Sequence, residues 1–387
     1  MELPICGDCH LMNFGGFASP ERNLLFNVND FDEVHPGPWE WDLKRLVASF
    51  LIAARDLRHG ETVEENACHE LVASYQQNMA ECAEMGALEL WYGRIDYEVA
   101  LEQEKEKDLR EHVQRAIEKA NRRTHAELLP KIAERDAKGR LQIRDDLPEI
   151  FHLHASTSLL DKDDDWMDLE HWQDLHDTFM RDYRATLQAD RRDLLDRFEV
   201  QDLVFKVVGV GSVGTRCLVA LLIDAQEQPL FLQYKEARPS VLAGYVRSKL
   251  RTRHQGQRVV DGQRLMQSAS DLFLGWTTGP GGRHFYVRQL RDMKVSAELE
   301  TFDENAFLAY ARVCGRALAC AHAKSGGQAA RIAGYIGKSD ALNDALVHYA
   351  KAYALQNERD FERFQRACRK GQLEARSEAD FVADRMP

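Results

Sequence analysis

Residues 202–237, DLVFKVVGVGSVGTRCLVALLIDAQEQPLFLQYKEA, decide the fold. Gly209, Gly211 and Gly214, with Ser212 between the second and third, give the spacing G-x-G-x-x-G. That spacing lets backbone N–H groups approach phosphate oxygens, and two unrelated architectures use it. In a dinucleotide-binding unit the loop opens directly onto a helix. In the other arrangement the loop joins two antiparallel strands, and a lysine on the strand after them pairs with the phosphates. Here the loop is followed by RCLVALLID, the polar turn DAQEQP, and LFLQYKEA. The stretch as a whole is rich in β-branched and aromatic residues, which predicts strand, glycine loop, strand, turn, strand, with Lys235 near the end. A helix over 216–224 would instead favour a dinucleotide-dependent oxidoreductase; a strand there removes that reading.

The rest of the chain bounds the class. It has 387 residues, 44% hydrophobic and 29% charged, enough for two or three packed units. The net charge of −12 argues against a nucleic-acid partner, which usually shows as a basic excess. No apolar run is long enough for a membrane span, and MELPICGDCH has no basic region followed by an apolar stretch, so it is no signal peptide. Eight scattered cysteines fit reduced thiols and a cytoplasmic location.

Near the start, CGDCHLMNFG (residues 6–15) reads two ways. C-x-x-C-H is a c-type haem attachment pattern, but covalent haem attachment follows export, so no haem is expected. A zinc site on Cys6 and Cys9 would need two more ligands, and no second C-x-x-C occurs. The other reading pairs Asp8 with Asn13 five residues on. This is the D-x-x-x-x-N spacing of a kinase catalytic loop, where the Asp takes a hydroxyl proton and the Asn binds metal. In LLFNVNDFDE, alternation puts Asp30 and Asp32 on one face of an extended chain, where they repel unless a divalent cation lies between them. Mg²⁺ on Asn13, Asp30 and Asp32, with ATP under the glycine loop and on Lys235, completes the set. Asp261, on a helix predicted after Lys235, is the candidate acid to hold that lysine, with Glu236 as rival. His10 shapes the loop, and Asp42 reads as a helix N-cap.

The order of these parts is not that of an ordinary kinase, because the catalytic pieces precede the nucleotide pieces. A circular permutation accounts for this, since domain termini often lie close together. The expected architecture is α+β and kinase-like in two lobes. Residues 1–60 would carry the catalytic loop and metal hairpin, and 61–196 a helical portion of the larger lobe. The β-rich nucleotide lobe would be 197–295, and the helical return 296–387. In that return, Phe307, Ala311, Cys314, Leu318 and Ala321 recur at helical spacing before Gly326-Gly327.

GDCHLMNFG, FNVNDFDEVHPGPWEWDLKRL, VVGVGSVGTRC, LQYKEA, GQRVVDGQRLMQ, YVRQLRDMK and CGRALACAHAKSG together resemble the bacterial family called domain of unknown function 2252. Its motifs in turn resemble the aminoglycoside phosphotransferase and choline kinase group, whose catalytic loop reads H-G-D-x-H-x-x-N. That resemblance implies that Asp8 is the base, Asn13 and Asp30 bind Mg²⁺, and Asp42 braces the loop. Cys6 stands where the group has His, and Asp32 where protein kinases have Gly. The family's FFRG segment is missing, so the chain is expected to lack an N-terminal portion. The resemblance implies ATP, Mg²⁺ and a hydroxyl-bearing acceptor, small molecule or protein. Adenylyl transfer, or nucleotide binding without catalysis, remains the alternative.

Overall fold

The computed structural model describes residues 1–103, 106–153, 158, 166, 172–207, 215–247, 252–290 and 293–374. The fold mixes helix and strand throughout. The chain opens with β1 (Glu2–Ile5), a 3₁₀ turn at Leu11–Asn13, the hairpin β2 (Phe14–Ala18) and β3 (Leu24–Val28), and β4 (His35–Pro38) paired back on β1. Helices α1 (Trp39–Asp56), α2 (Glu61–Glu84) and α3 (Ala87–Tyr92) follow. Then come β5 (Ile95–Asp96), α4 (Tyr97–Gln103), α5 (Lys107–Asn121) and α6 (His125–Ile132). Strands β6 (Ala133–Arg135), β7 (Leu141–Ile143) and β8 (Ile150–Phe151) lead into α7 (Trp172–Ala185) and α8 (Ala189–Leu195).

The decisive stretch forms β9 (Phe198–Lys206), β10 (Cys217–Asp224) and β11 (Pro229–Glu236). A strand therefore occupies 217–224, and the helix that a dinucleotide unit requires is not there. Next come α9 (Gln255–Met266), β12 (Gly275–Thr278), β13 (His284–Gln289) and β14 (Val295–Ser296). The chain closes with α10 (Glu304–Gly326), α11 (Ala329–Ile336) and α12 (Ala341–Arg369). An antiparallel sheet runs β12-β13-β11-β10-β9-β8, and a smaller one β14-β2-β3-β5. The segment from β13 to β14 links the two.

Strand alternation sorts the large sheet into two faces. Leu230, Leu232 and Tyr234 of β11 join Phe179 and Tyr183 of α7 in one core. Phe231, Gln233 and Lys235 lie on the opposite face. In register with Lys235 are Cys217 and Tyr286; in register with Gln233 are Val219 and Arg288. A second, mostly helical core holds Leu43, Leu46, Val47, Phe50 and Leu51 of α1 and the expected α10 stripe from Phe307 to Ala321. Gly327 ends α10 in a left-handed conformation.

The predicted organisation needs two corrections. Residues 61–196 are not uniformly helical, because 133–151 contribute β6, β7 and β8. Nor does the boundary at 197 separate two cores. β8 adds to the edge of the large sheet, and Leu175, Phe179 and Tyr183 of α7 pack on it, so the sheet's unit begins well before 197.

Candidate active site

The loop after β1 is held from below by Asp42. Asp42 Oδ2 accepts from the Cys6 N–H (2.8 Å) and Oδ1 from the Gly7 N–H (3.0 Å). His322 Nε2 of α10 lies 3.2 Å from Asp42 Oδ2 and must donate, since a carboxylate only accepts; its Nδ1 lies 2.9 Å from the Tyr75 hydroxyl. Asp42 and His322 are essentially inaccessible. Asp42 is thus not the N-cap: α1 begins at Trp39, and the carboxylate is spent on the loop. Gly7 has φ +86°, and a Cβ there would lie 2.5 Å from the Glu33 carbonyl oxygen, so the turn that presents Asp8 requires glycine.

Asp8 then stands half-exposed. Its Oδ1 is paired with Arg45 of α1, and Oδ2 lies 3.7 Å from His10 Nε2. Burial, partly opposed by Asp8, lowers the His10 pKa. Asn13 Nδ2 donates to the Asp8 carbonyl (2.7 Å), which fixes the amide and orients its Oδ1 away from that contact. Tyr310 of α10 donates to the Leu11 carbonyl (2.7 Å) and closes the loop from behind.

Asp30 and Asp32 do not share a strand face. β3 ends at Val28, and the Asp32 N–H donates to Asp30 Oδ1 (3.3 Å), so the chain turns there. The turn carries Asp32 Oδ2 to Lys235, 203 residues on, in a direct ion pair. Asp32 Oδ1 is buried and has no hydrogen-bond partner among the described residues. Lys235 is itself buried; burial opposes its charge, but Tyr286, Asp32 and Asp30 together raise its pKa above the ordinary value. Asp30 is felt by both His10 and Lys235, so it lies between the catalytic-loop side and the sheet side of the cleft.

Asp261 does not hold the lysine. It lies on α9 beside Arg264 and Gln257, lining a different cavity with Pro36 and Leu265. Glu236 is also spent elsewhere, accepting from the Arg216 N–H (2.8 Å) and pairing with Arg238. The α9 face that meets the hairpin carries Arg258 and Gly262. Arg258 is buried and donates to the carbonyls of Val34 (2.6 Å), Asp32 (2.8 Å) and Arg238 (2.8 Å). A Cβ on Gly262 would lie 2.4 Å from a Val34 methyl, so only glycine lets α9 approach this closely. Gln267 adds a bond to the Val28 carbonyl (2.6 Å). Gly209, Gly211, Ser212 and Gly214 lie outside the described residues, as does Arg291.

Arg45, Arg258, His322 and Lys294 were not singled out from sequence. Lys294, on the link to β14, faces Arg288; burial and that neighbour lower its pKa to about 8. Arg288, Gln233, Lys206, Asn29 and Lys294 line a cavity of about 640 Å³. Cys6, Cys9 and Asp42 bring their ligand-type atoms within 4.8 Å of one another. Burial raises both thiols, Cys9 to about 11, whereas metal binding needs thiolates, and the Asp42 oxygens are already bonded. All eight cysteines are free. Among the described residues no helix is long and apolar enough to cross a membrane.

The family model for uncharacterized proteins conserved in bacteria, domain of unknown function 2252, matches residues 1–367. The chain belongs to that family. Comparison with curated proteins and with solved structures finds no match.

Proposed function

We propose that this is an ATP- and Mg²⁺-dependent phosphotransferase of kinase-like fold, its parts permuted in sequence. The observation that carries the reading is the ion pair of Lys235 with Asp32, which joins the glycine-loop sheet to the acidic turn beyond the hairpin. The lysine is on β11, the second strand after the loop, a helix follows it, and β13 leads through a short link to the other sheet, as the kinase reading requires.

An oxygen-only donor set suits Mg²⁺. Asn13 Oδ1, the Asp30 carboxylate and the orphaned Asp32 Oδ1 supply it. Bound there, the ion would neutralise charge on the phosphates. Lys235 keeps two N–H donors beyond the one given to Asp32, and these suit phosphate oxygens. Asp8 Oδ2 accepts the proton of an acceptor hydroxyl as its oxygen bonds to the γ-phosphorus and the bond to ADP breaks. Arg45, on Oδ1, fixes the carboxylate's orientation.

The lysine's partner departs from the usual arrangement, in which an acid on the following helix holds it. Here α9 offers Arg258 on the facing side, so the acid comes from the turn. The test is label transfer from γ-labelled ATP with Mg²⁺. Asp30→Asn is expected to weaken Mg-ATP binding, and Asp8→Asn to spare binding and abolish transfer. Equal Mg-ATP binding by wild type and both variants would refute the metal assignment.

A further inference from the structure

An adenine is ordinarily held by an apolar slot on its faces and by backbone donors and acceptors at its edge. Among the described residues beside the cleft, both resources are already used by the chain itself. The Leu290 carbonyl, where the sheet passes into its link, accepts from His125 Nε2 (2.9 Å), and the Leu290 N–H donates to Phe231 (3.0 Å). His125 is buried, its ring edge-on to Phe231. The apolar end of the sheet's cleft face is Val204, Val219, Leu221, Phe231 and Leu290, and Leu128, Leu129 and Ile132 of α6 cover it. The gap left there is about 30 Å³, room for roughly two waters.

What remains open is the 640 Å³ cavity, where Arg288, Lys294, Lys206 and Gln233 share the lining with Asp271, Leu272 and Leu290. Arg288 and Lys294 stand together there, with Lys206 and Gln233 beside them. Lys294 makes no ion pair within 4 Å among the described residues. Asp30 and Asp32 act on both cations, and with those carboxylates engaged by a metal the pair would call for a further anion.

We infer that this cavity selects its ligand by phosphate and not by base, with Arg288 and Lys294 receiving phosphate oxygens beyond those at Lys235. The inference rests on the phosphotransferase reading for the site but sets the donor's class: a polyphosphate compound whose base is immaterial. Half-buried Arg288, Lys294 and Lys206 gather at this cavity, and the apolar slot beside it is filled by α6, so among the described residues phosphate finds more to bind than a purine does.

The test is calorimetric titration of the intact chain with Mg-ATP, Mg-GTP, Mg-tripolyphosphate and adenosine. The first three should have Kd values within about threefold of one another, and millimolar adenosine should not bind. Lys294→Gln should weaken all three about tenfold or more, and Lys294→Arg should restore them. Preference for ATP over tripolyphosphate by about thirtyfold or more, binding of adenosine, or no binding of tripolyphosphate would each overturn the inference. The two readings separate cleanly. Equal binding of the three without label transfer would sink the phosphotransferase reading and keep this one. Transfer from ATP with strict base preference would do the reverse.

Discussion

Replacing Asp42 tests the foundation of the site without presuming its chemistry. Its two oxygens meet three donors: Cys6 N–H, Gly7 N–H and His322 Nε2. The site is dry, with Asp42 1% exposed and His322 0%, so water cannot replace a lost acceptor. Asp42→Ala strands all three donors. At about 1–3 kcal/mol per stranded buried donor, and with partial relaxation, the loss should be about 4–6 kcal/mol. Asp42→Asn is subtler. Its single oxygen can serve Cys6 and His322 while its amide faces the Gly7 N–H, or serve Gly7 while its amide faces the other two. Either way at least one donor meets another donor, which should cost about 2–3 kcal/mol. Urea unfolding with unchanged m-values measures both. Tyr75→Phe, which removes a bond to the far side of His322, should cost less than Asp42→Asn. If Asp42→Asn unfolds within about 0.5 kcal/mol of wild type, the carboxylate is not what holds the loop, and Asp8 must be oriented by something else.

Gly262→Ala should destabilise by about 1–3 kcal/mol, since its Cβ would meet Val34 at 2.4 Å, and should weaken Mg-ATP binding through the displaced Asp32 turn; wild-type affinity would refute the close approach. Burial opposes the charge of His152, but Asp202 (3.0 Å) and Asp145 (2.6 Å) raise its pKa to about 9. The stabilisation is full below the unfolded value near 6.5 and is lost as pH rises through about 9. After discounting for partial exposure it should be about 1–2 kcal/mol, and His152→Asn should flatten unfolding free energy against pH across that window. A melting curve with Mg-ATP about 100-fold above its Kd should show about 2.7 kcal/mol of added stability, and no shift at any concentration would count against a nucleotide site.

The sheet was legible because its strands are apolar runs set apart by a glycine loop and a polar turn. RCLVALLID and LFLQYKEA carry apolar residues through a dry interior, and the Asp224–Gln228 turn is built by Asp224 accepting from the Gln226 and Gln228 N–H groups. The α10 stripe was legible from its helical period. By contrast, β8 has two residues and sits in a polar stretch, so no period marks it; only pairing with β9 makes it a strand. Asp261 was misassigned because a helix offers several faces to one motif. Residue type alone favoured the acid, whereas the face that meets the hairpin is marked by Arg258 and by Gly262, where an added Cβ would lie 2.4 Å from Val34. Glycine four residues after Arg258 was the available signal, read only as part of a motif. His322 had no such cue: an alanine-rich helix with one histidine looks like any packed helix until Asp42 is seen beneath it.

The failed face-sharing of Asp30 and Asp32 is the most instructive difference. Alternation assumes that the strand continues, and two adjacent carboxylates on one face would repel. The chain avoids that cost by ending β3 at Val28 and turning, so that each carboxylate meets a different neighbour. Asp30 stays toward the catalytic loop and Asp32 crosses to the sheet. One local electrostatic conflict is thereby converted into the tie between segments 203 residues apart. Arg258 makes the same junction from α9, binding three carbonyls that a shifted turn would leave unpaired. Position in the cleft is therefore set by the turn's bonds to β11 and α9, not by order along the chain. That is why the acidic turn near residue 30 and a lysine at residue 235 can meet at one place.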